Sequence, residues 1–174
     1  MPSETIIPGF TVVIVLFIAT ASIIGVIITA TTMAVNTIRL GYVEYYERMT
    51  RISIVEVNLT YLNSVLEGTI RVYNYGPLAI YRLEACDLVI EYYSISGVLK
   101  TLRLTYETHW YIEKIILAGD YSIEFSDHPI IGEGETGLIR VYVSIVDIDV
   151  EKPLRVVFTT QYGTSDSKWV ILNA

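Results

Sequence analysis

In the segment Gly137-Leu-Ile-Arg-Val-Tyr-Val-Ser-Ile145, the residues Leu138, Arg140, Tyr142 and Ser144 alternate with Ile139, Val141, Val143 and Ile145. Successive side chains of a β-strand point to opposite faces. The second set therefore makes one wholly aliphatic face, which belongs in a core. The same pattern extends in both directions. From about residue 50 onward, short runs of β-branched and aromatic residues are broken by Gly, Asn, Asp, Ser or Pro. They predict strands at Ile52–Tyr61, Thr69–Tyr75, Ala85–Tyr93, Leu99–Tyr106, Trp110–Leu117, Tyr121–Phe125, Gly137–Ile148, Leu154–Tyr162 and Lys168–Leu172. The breaks include Leu66-Glu-Gly68, Asn74-Tyr-Gly-Pro77, Ser94-Ile-Ser-Gly97 and the glycine-rich Ile131–Gly137, read as a hairpin turn. No helical period separates the strands, which argues against a parallel α/β sheet. The expected fold of residues 50–174 is an all-β, Ig-like sandwich of about 7–9 strands.

Upstream the pattern is different. Phe10-Thr-Val-Val-Ile-Val-Leu-Phe-Ile-Ala-Thr-Ala-Ser-Ile-Ile-Gly-Val-Ile-Ile-Thr-Ala30 contains no ionisable residue, and none occurs anywhere between Thr5 and Ile38. About 20 apolar residues suffice to cross a bilayer as a helix. A single segment in hydrocarbon pairs all its backbone groups only by becoming helical, so helix is expected despite the β-branched content. Phe10, Ile14, Phe17, Ile18, Ile23, Ile24, Ile27 and Ile28 are the expected membrane-helix residues. The organisation read from the sequence is a short N-terminal segment (1–9), a transmembrane helix with its extension (10–42) and the β domain (50–174). Residues 1–9 carry no Lys or Arg and the apolar run is long for a signal peptide, so an uncleaved anchor is expected. Arg39, Arg48 and Arg51 against Glu4 would place the C-terminal part in the cytoplasm by the positive-inside rule. A tyrosine-rich β domain with an N-glycosylation triplet at Asn58-Leu59-Thr60 points the other way. Tyr42, Tyr45 and Tyr46 suit either an interfacial aromatic belt or a cap on the sandwich core.

Composition narrows the functional classes. The chain has 174 residues, 52% hydrophobic and 18% charged, with a formal net charge of −7 and one cysteine. This acidity disfavours a nucleic-acid partner, because phosphate contacts require a basic surface. One cysteine makes no disulfide framework. His109 and His128 show neither a zinc spacing nor a nucleophile with its base, and Cys86, in Ala85-Cys-Asp-Leu-Val-Ile90, reads as a buried thiol. No phosphate-binding glycine loop is present. Asp147, Asp149 and Glu151 recur with period two and are read as one strand face: weak candidates for a hard cation, or a charged edge that blocks unwanted pairing. The expectation is therefore a non-enzyme without cofactor, small-molecule substrate or firmly indicated metal.

An apolar N-terminal helix running into a small β-sandwich resembles the archaeal type IV pilin-like superfamily, and is most similar to its archaellum accessory (stator) proteins of the F and G type. The residues that carry the resemblance are Phe17-Ile-Ala-Thr-Ala-Ser-Ile-Ile-Gly25, then Gly68-Thr-Ile-Arg-Val-Tyr-Asn-Tyr-Gly-Pro-Leu78 with its Asn-x-Gly turn. Gly134-Glu-Thr136 and the closing Leu154-Arg-Val-Val-Phe-Thr-Thr-Gln-Tyr-Gly-Thr-Ser-Asp166 complete the set. The resemblance implies a single-pass protein of the cytoplasmic membrane. Its β domain would stand outside the cell, with membrane lipid, S-layer protein or archaellum subunits, and copies of itself, as partners. A filament subunit (archaellin or pilin) is the alternative. Filament-forming relatives carry a basic residue and Gly before the helix and often a Glu five residues into the mature chain, whereas here Gly9 has no basic neighbour and residue 14 is Ile. An exported solute-binding or enzyme module is the remaining class. Gln161 is the one glutamine beside abundant Ile and Tyr, a usage expected of a thermophile.

Overall fold

The computed structural model describes residues 6–119 and 121–172. Glu4 and Asp120 lie outside them, and so does the side chain of Phe10. The chain divides into two compact units, Met1–Glu44 and Tyr45–Ala174.

The first unit is helical. Helix α1 runs Ile6–Met49, so its last turn belongs to the second unit. It starts before Phe10, and Pro8 sits in the first turn, where a missing N–H costs nothing. Within it, Thr11–Tyr46 is long and apolar enough to cross a membrane, and its most apolar window has mean hydropathy 2.9. The hydroxyls that interrupt the apolar surface satisfy themselves on the helix backbone. Thr20, Ser22, Thr29, Thr31, Thr32 and Thr37 each donate to the carbonyl four residues back at 2.7–2.9 Å. Such bonds let Ser and Thr sit in hydrocarbon without an unpaired donor.

The second unit is a two-sheet antiparallel sandwich of nine strands: β1 Ile52–Leu62, β2 Val65–Asn74, β3 Asp87–Tyr93, β4 Leu99–Leu104, β5 Trp110–Ile116, β6 Ser122–Glu124, β7 Thr136–Ser144, β8 Leu154–Thr159 and β9 Ser165–Val170. One sheet has the order β1-β2-β7-β5-β6 and the other β4-β3-β8-β9. In β7 the alternation read from the sequence holds from Ile139 onward: Ile139, Val141, Val143 and Ile145 are buried while Arg140, Tyr142 and Ser144 are exposed, but Leu138, placed by that reading on the polar face, is buried too. Ile139, Val141, Val143 and Ile145 face Leu88, Ile90, Val156 and Phe158 of the second sheet in one continuous core. Trp110 fills its centre. Its ring meets Phe158 edge-on at 5.9 Å and Tyr106 at 4.9 Å, and its Nε1–H donates to the Leu104 carbonyl at 3.2 Å.

Three sequence readings are corrected. Leu66-Glu-Gly68 is not a break but the interior of β2, and the chain reverses at Asn63-Ser64, whose φ values of 52° and 63° suit a two-residue hairpin. Gly68 is there for close approach. Its φ is +148°, and a Cβ would lie 2.1 Å from the Asn58 carbonyl oxygen on β1. Ile131–Gly137 is not a hairpin either. It crosses from β6, at one edge, to β7, inside the sheet, and docks on the end of β2: Gly134 N–H donates to Asn74 O at 2.8 Å, and Asn74 N–H to Glu135 O at 2.9 Å. The fully buried Asn74 amide ties this junction together by donating to the Leu78 and Ile131 carbonyls and accepting from Gly76 N–H. Finally, β7 ends at Ser144, so Asp147, Asp149 and Glu151 lie in the loop before β8 and not on a strand face.

The terminal strand closes the sandwich on one side. Asp166 of β9 accepts from Ile54 N–H at 2.7 Å, and Lys168 donates to the Val55 carbonyl at 2.6 Å. Both groups sit at the irregularity between Ile54 and Glu56 of β1. The two edge strands thus occupy one another's backbone groups through side chains, which protects both from strand addition. A partner seeking an edge is left with β4 and the short β6.

Candidate functional site

The chemistry-bearing residues are dispersed. His109 accepts from Thr105 N–H through Nδ1 at 3.1 Å and helps shape the turn that leads into β5. His128 faces Glu135 at 3.0 Å, and Glu135 also accepts from Gly132 N–H at 2.6 Å, so this pair braces the crossing loop. Asp147 is ion-paired to Lys100 and Asp149 to Lys152 at 3.3 Å, while Glu151 contributes its N–H to the Asp149 carboxylate at 3.2 Å. Each acid of this triplet that has a partner is neutralised by a lysine. Among the described residues, no three His, Cys, Asp or Glu converge as a ligand set for a metal. Cys86 is buried beside the Arg82 carbonyl and Gln161, and burial pushes its thiol from an ordinary 9.0 up to about 12. A thiol rather than a thiolate at neutral pH is a poor nucleophile. The native chain is therefore expected to leave a disulfide dye such as DTNB unreacted at pH 8 and to react on unfolding. Because the folded form holds this proton more tightly, the stability Cys86 contributes is full below pH 9 and is lost as pH rises towards 12.

Most of the residues read from the sequence as forming the membrane helix lie on the described part of α1. Ile14, Phe17, Ile18, Ile23, Ile24, Ile27 and Ile28 are all exposed, and none of the span's most apolar window is buried. In water that surface would be costly at roughly 25 cal/mol per Å². At the other end of the anchor extension, Tyr46 stacks on Tyr162 at 5.0 Å with rings nearly parallel, whereas Tyr42 and Tyr45 stay more than half exposed. Asn58 and Thr60 are exposed on the outward face of the five-stranded sheet.

The sequence did not reveal the tip of the sandwich remote from the entry of the chain at Thr50. Three loops meet there: the β1–β2 turn, the β3–β4 turn and the segment between β7 and β8. Ile145 N–H donates to Ser64 O at 2.9 Å, Ile95 N–H to Asp147 O at 3.0 Å, and the Tyr61 hydroxyl to Ile145 O at 2.7 Å. On this braced frame Leu62, Ile95 and Val146 stand 68%, 73% and 80% exposed, with Val98 and Leu99 alongside. Turn tips are ordinarily polar, and grouped exposed aliphatics mark an interaction surface. The available signal was an aliphatic residue in or next to each turn, as in Ser94-Ile-Ser-Gly97.

The described residues thus combine an apolar helix, a two-sheet antiparallel sandwich, an aliphatic tip and dispersed ionisable groups. No protein-family model and no curated protein matches the chain. Among solved structures, it is similar to the archaellum periplasmic stator protein complex FlaF and FlaG from Sulfolobus acidocaldarius, at 16% identity and TM-score 0.45, covering 70% of this chain and 89% of that one. It is likewise similar to the archaellum periplasmic stator protein FlaG from the same organism, at 15% identity and TM-score 0.44, covering 70% and 99%. Likeness at this level carries no residue roles across.

Proposed function

We propose that this chain is a membrane-anchored accessory protein of the archaellum, stator-like, whose β-sandwich stands outside the cell and meets S-layer protein or archaellum subunits. The observation that carries the reading is the aliphatic tip, where Leu62 at the end of β1 and Ile95 and Val146 on hydrogen-bonded loops are each more than two-thirds exposed. A fixed apolar surface at the end remote from chain entry suits a protein held at one end and loaded at the other. An apolar helix whose most apolar window is unburied supports the anchor, and the resemblance drawn in the sequence to the archaellum accessory proteins suggests the setting.

A filament subunit is the second reading. It is favoured by a shallow groove on the helix lined by Ser22, Gly25, Thr29 and Ala30, small residues that would let the backbone of a second helix approach closely.

The tip is tested by Ile95→Asp combined with Val146→Asp in the full-length chain in detergent micelles. Both residues are exposed, so melting should change little. Co-sedimentation with the isolated cell-envelope layer or with archaellum filaments is expected to fall at least tenfold, roughly what losing 1.4 kcal/mol of contact does. Unchanged binding would contradict the assignment.

A further inference from the structure

The outward face of the five-stranded sheet is hollowed into an open groove of about 890 Å³. Strand register lays its side chains out in rows. Asn58, Thr69, Arg140 and Tyr111 are successive cross-strand partners over β1, β2, β7 and β5. Thr60, Glu67 and Tyr142 form the next row, which His109 ends, its carbonyl accepting from Tyr142 N–H at 2.8 Å. Tyr111 and Tyr142 are 49% and 59% exposed. Arg140 is ion-paired to Glu113, so the charge at the centre is balanced.

Exposed ring faces beside fixed amide, hydroxyl, carboxylate and guanidinium groups match the chemistry of a sugar. The C–H face of a pyranose stacks on an aromatic ring while its hydroxyls exchange hydrogen bonds with the polar groups. An apolar peptide would leave those groups unpaired, and a phosphate backbone would meet Glu67, Glu107 and Glu113. Asn58 indicates where the sugar comes from. It lines the groove, and Asn58-Leu59-Thr60 is an N-glycosylation acceptor whose Asn and Thr, two residues apart on β1, both open into that groove.

We propose that Asn58 carries an N-linked oligosaccharide and that the groove cradles it, with Tyr142 and Tyr111 as stacking faces and Arg140 and Glu67 as polar partners. Asn58 Nδ2 forms its bond to the anomeric carbon of an oligosaccharide carried on a lipid phosphate or pyrophosphate. The anomeric C–O bond to that phosphate breaks, the lipid phosphate departs with the bonding electrons, and one amide proton leaves with base. Folded β1 is paired with β2 at Asn58–Thr69, and Gly68 lies against the Asn58 carbonyl. The acceptor is therefore modified before the β1–β2 hairpin closes. The proposal rests on the extracytoplasmic placement above, since the donor lipid presents its sugar outside the cytoplasm.

The test uses the full chain from native membranes. Protease treatment of intact cells reports which side the domain occupies, and mass spectrometry reports the peptide containing Asn58. The expected result is a domain cut from outside and a saccharide mass on Asn58, absent in Asn58→Gln and in Thr60→Ala. Loss of the sugar should lower the melting temperature by about 4 °C, and should have no further effect once Tyr111→Ala and Tyr142→Ala have removed the stacking faces. An unmodified Asn58 in a domain cut from outside overturns this proposal and leaves the placement standing. An unmodified Asn58 in a domain protected from protease overturns both. A groove that binds free surface oligosaccharide over an unmodified Asn58 assigns it to a partner's sugar and overturns the proposal. Equal destabilisation by sugar loss with and without the tyrosines overturns the cradle.

Discussion

Trp110→Ala is expected to cost about 4 kcal/mol of stability, the range found when a large aromatic is removed from a core. Trp110 is 1% exposed and lies between Tyr106 and Phe158. Truncation removes both edge-to-face contacts and leaves a void that the strand backbones on either side hold open. It also strips the Leu104 carbonyl of its indole donor. Trp110→Phe separates the two effects. It keeps most of the packing and leaves the carbonyl unpaired, at a cost of about 1–3 kcal/mol. Urea unfolding of the full chain in detergent should show a lower midpoint with an unchanged slope. A loss below about 1 kcal/mol for Trp110→Ala would mean that the ring does not fill the sandwich as described.

The second large effect is expected in the helix. Ile24→Arg together with Ile28→Arg places two charges near the middle of Thr11–Tyr46, one turn apart. Each costs about 2.5–3.5 kcal/mol at the centre of a spanning helix. Their sum, some 5–7 kcal/mol, outweighs the gain from several of the neighbouring isoleucines. The share of the chain that stays with carbonate-washed membranes is expected to drop at least tenfold, while the sandwich, which contains neither residue, keeps its unfolding midpoint. Full retention in washed membranes would contradict a spanning role for this segment.

The legible parts of the fold were those set by local periodicity. The alternation in β7 identified Ile139, Val141, Val143 and Ile145 as core, and they are buried. The absence of charge from Thr5 to Ile38 marked the apolar helix. Failures came where a residue answered to something distant. Gly68 looked like a turn, but it is a strand residue whose missing side chain makes room for the Asn58 carbonyl. Asp147, Asp149 and Glu151 looked like a strand face because period two is also what a loop can show by chance. Lys100 and Lys152 decide their environment, and Lys100 lies far off in sequence. The glycine-rich Ile131–Gly137 looked like a hairpin because turn chemistry does not say which strands a turn connects. The tip was invisible for the same reason. Leu62, Ile95 and Val146 are scattered along the chain, and only the sheet order brings their loops to one end. The outward rows containing Asn58, Arg140 and Tyr142 likewise required the register.

The central claim is an anchored accessory protein rather than a polymerising subunit. It is tested most directly by mass spectrometry of the N-terminal peptide from native cells, run separately on membranes and on sheared filaments. The account predicts a peptide beginning at Met1 or Pro2, recovered from membranes and absent from filaments. A peptide beginning at Phe10 and abundant in sheared filaments would contradict it, and would make α1 the core of a filament.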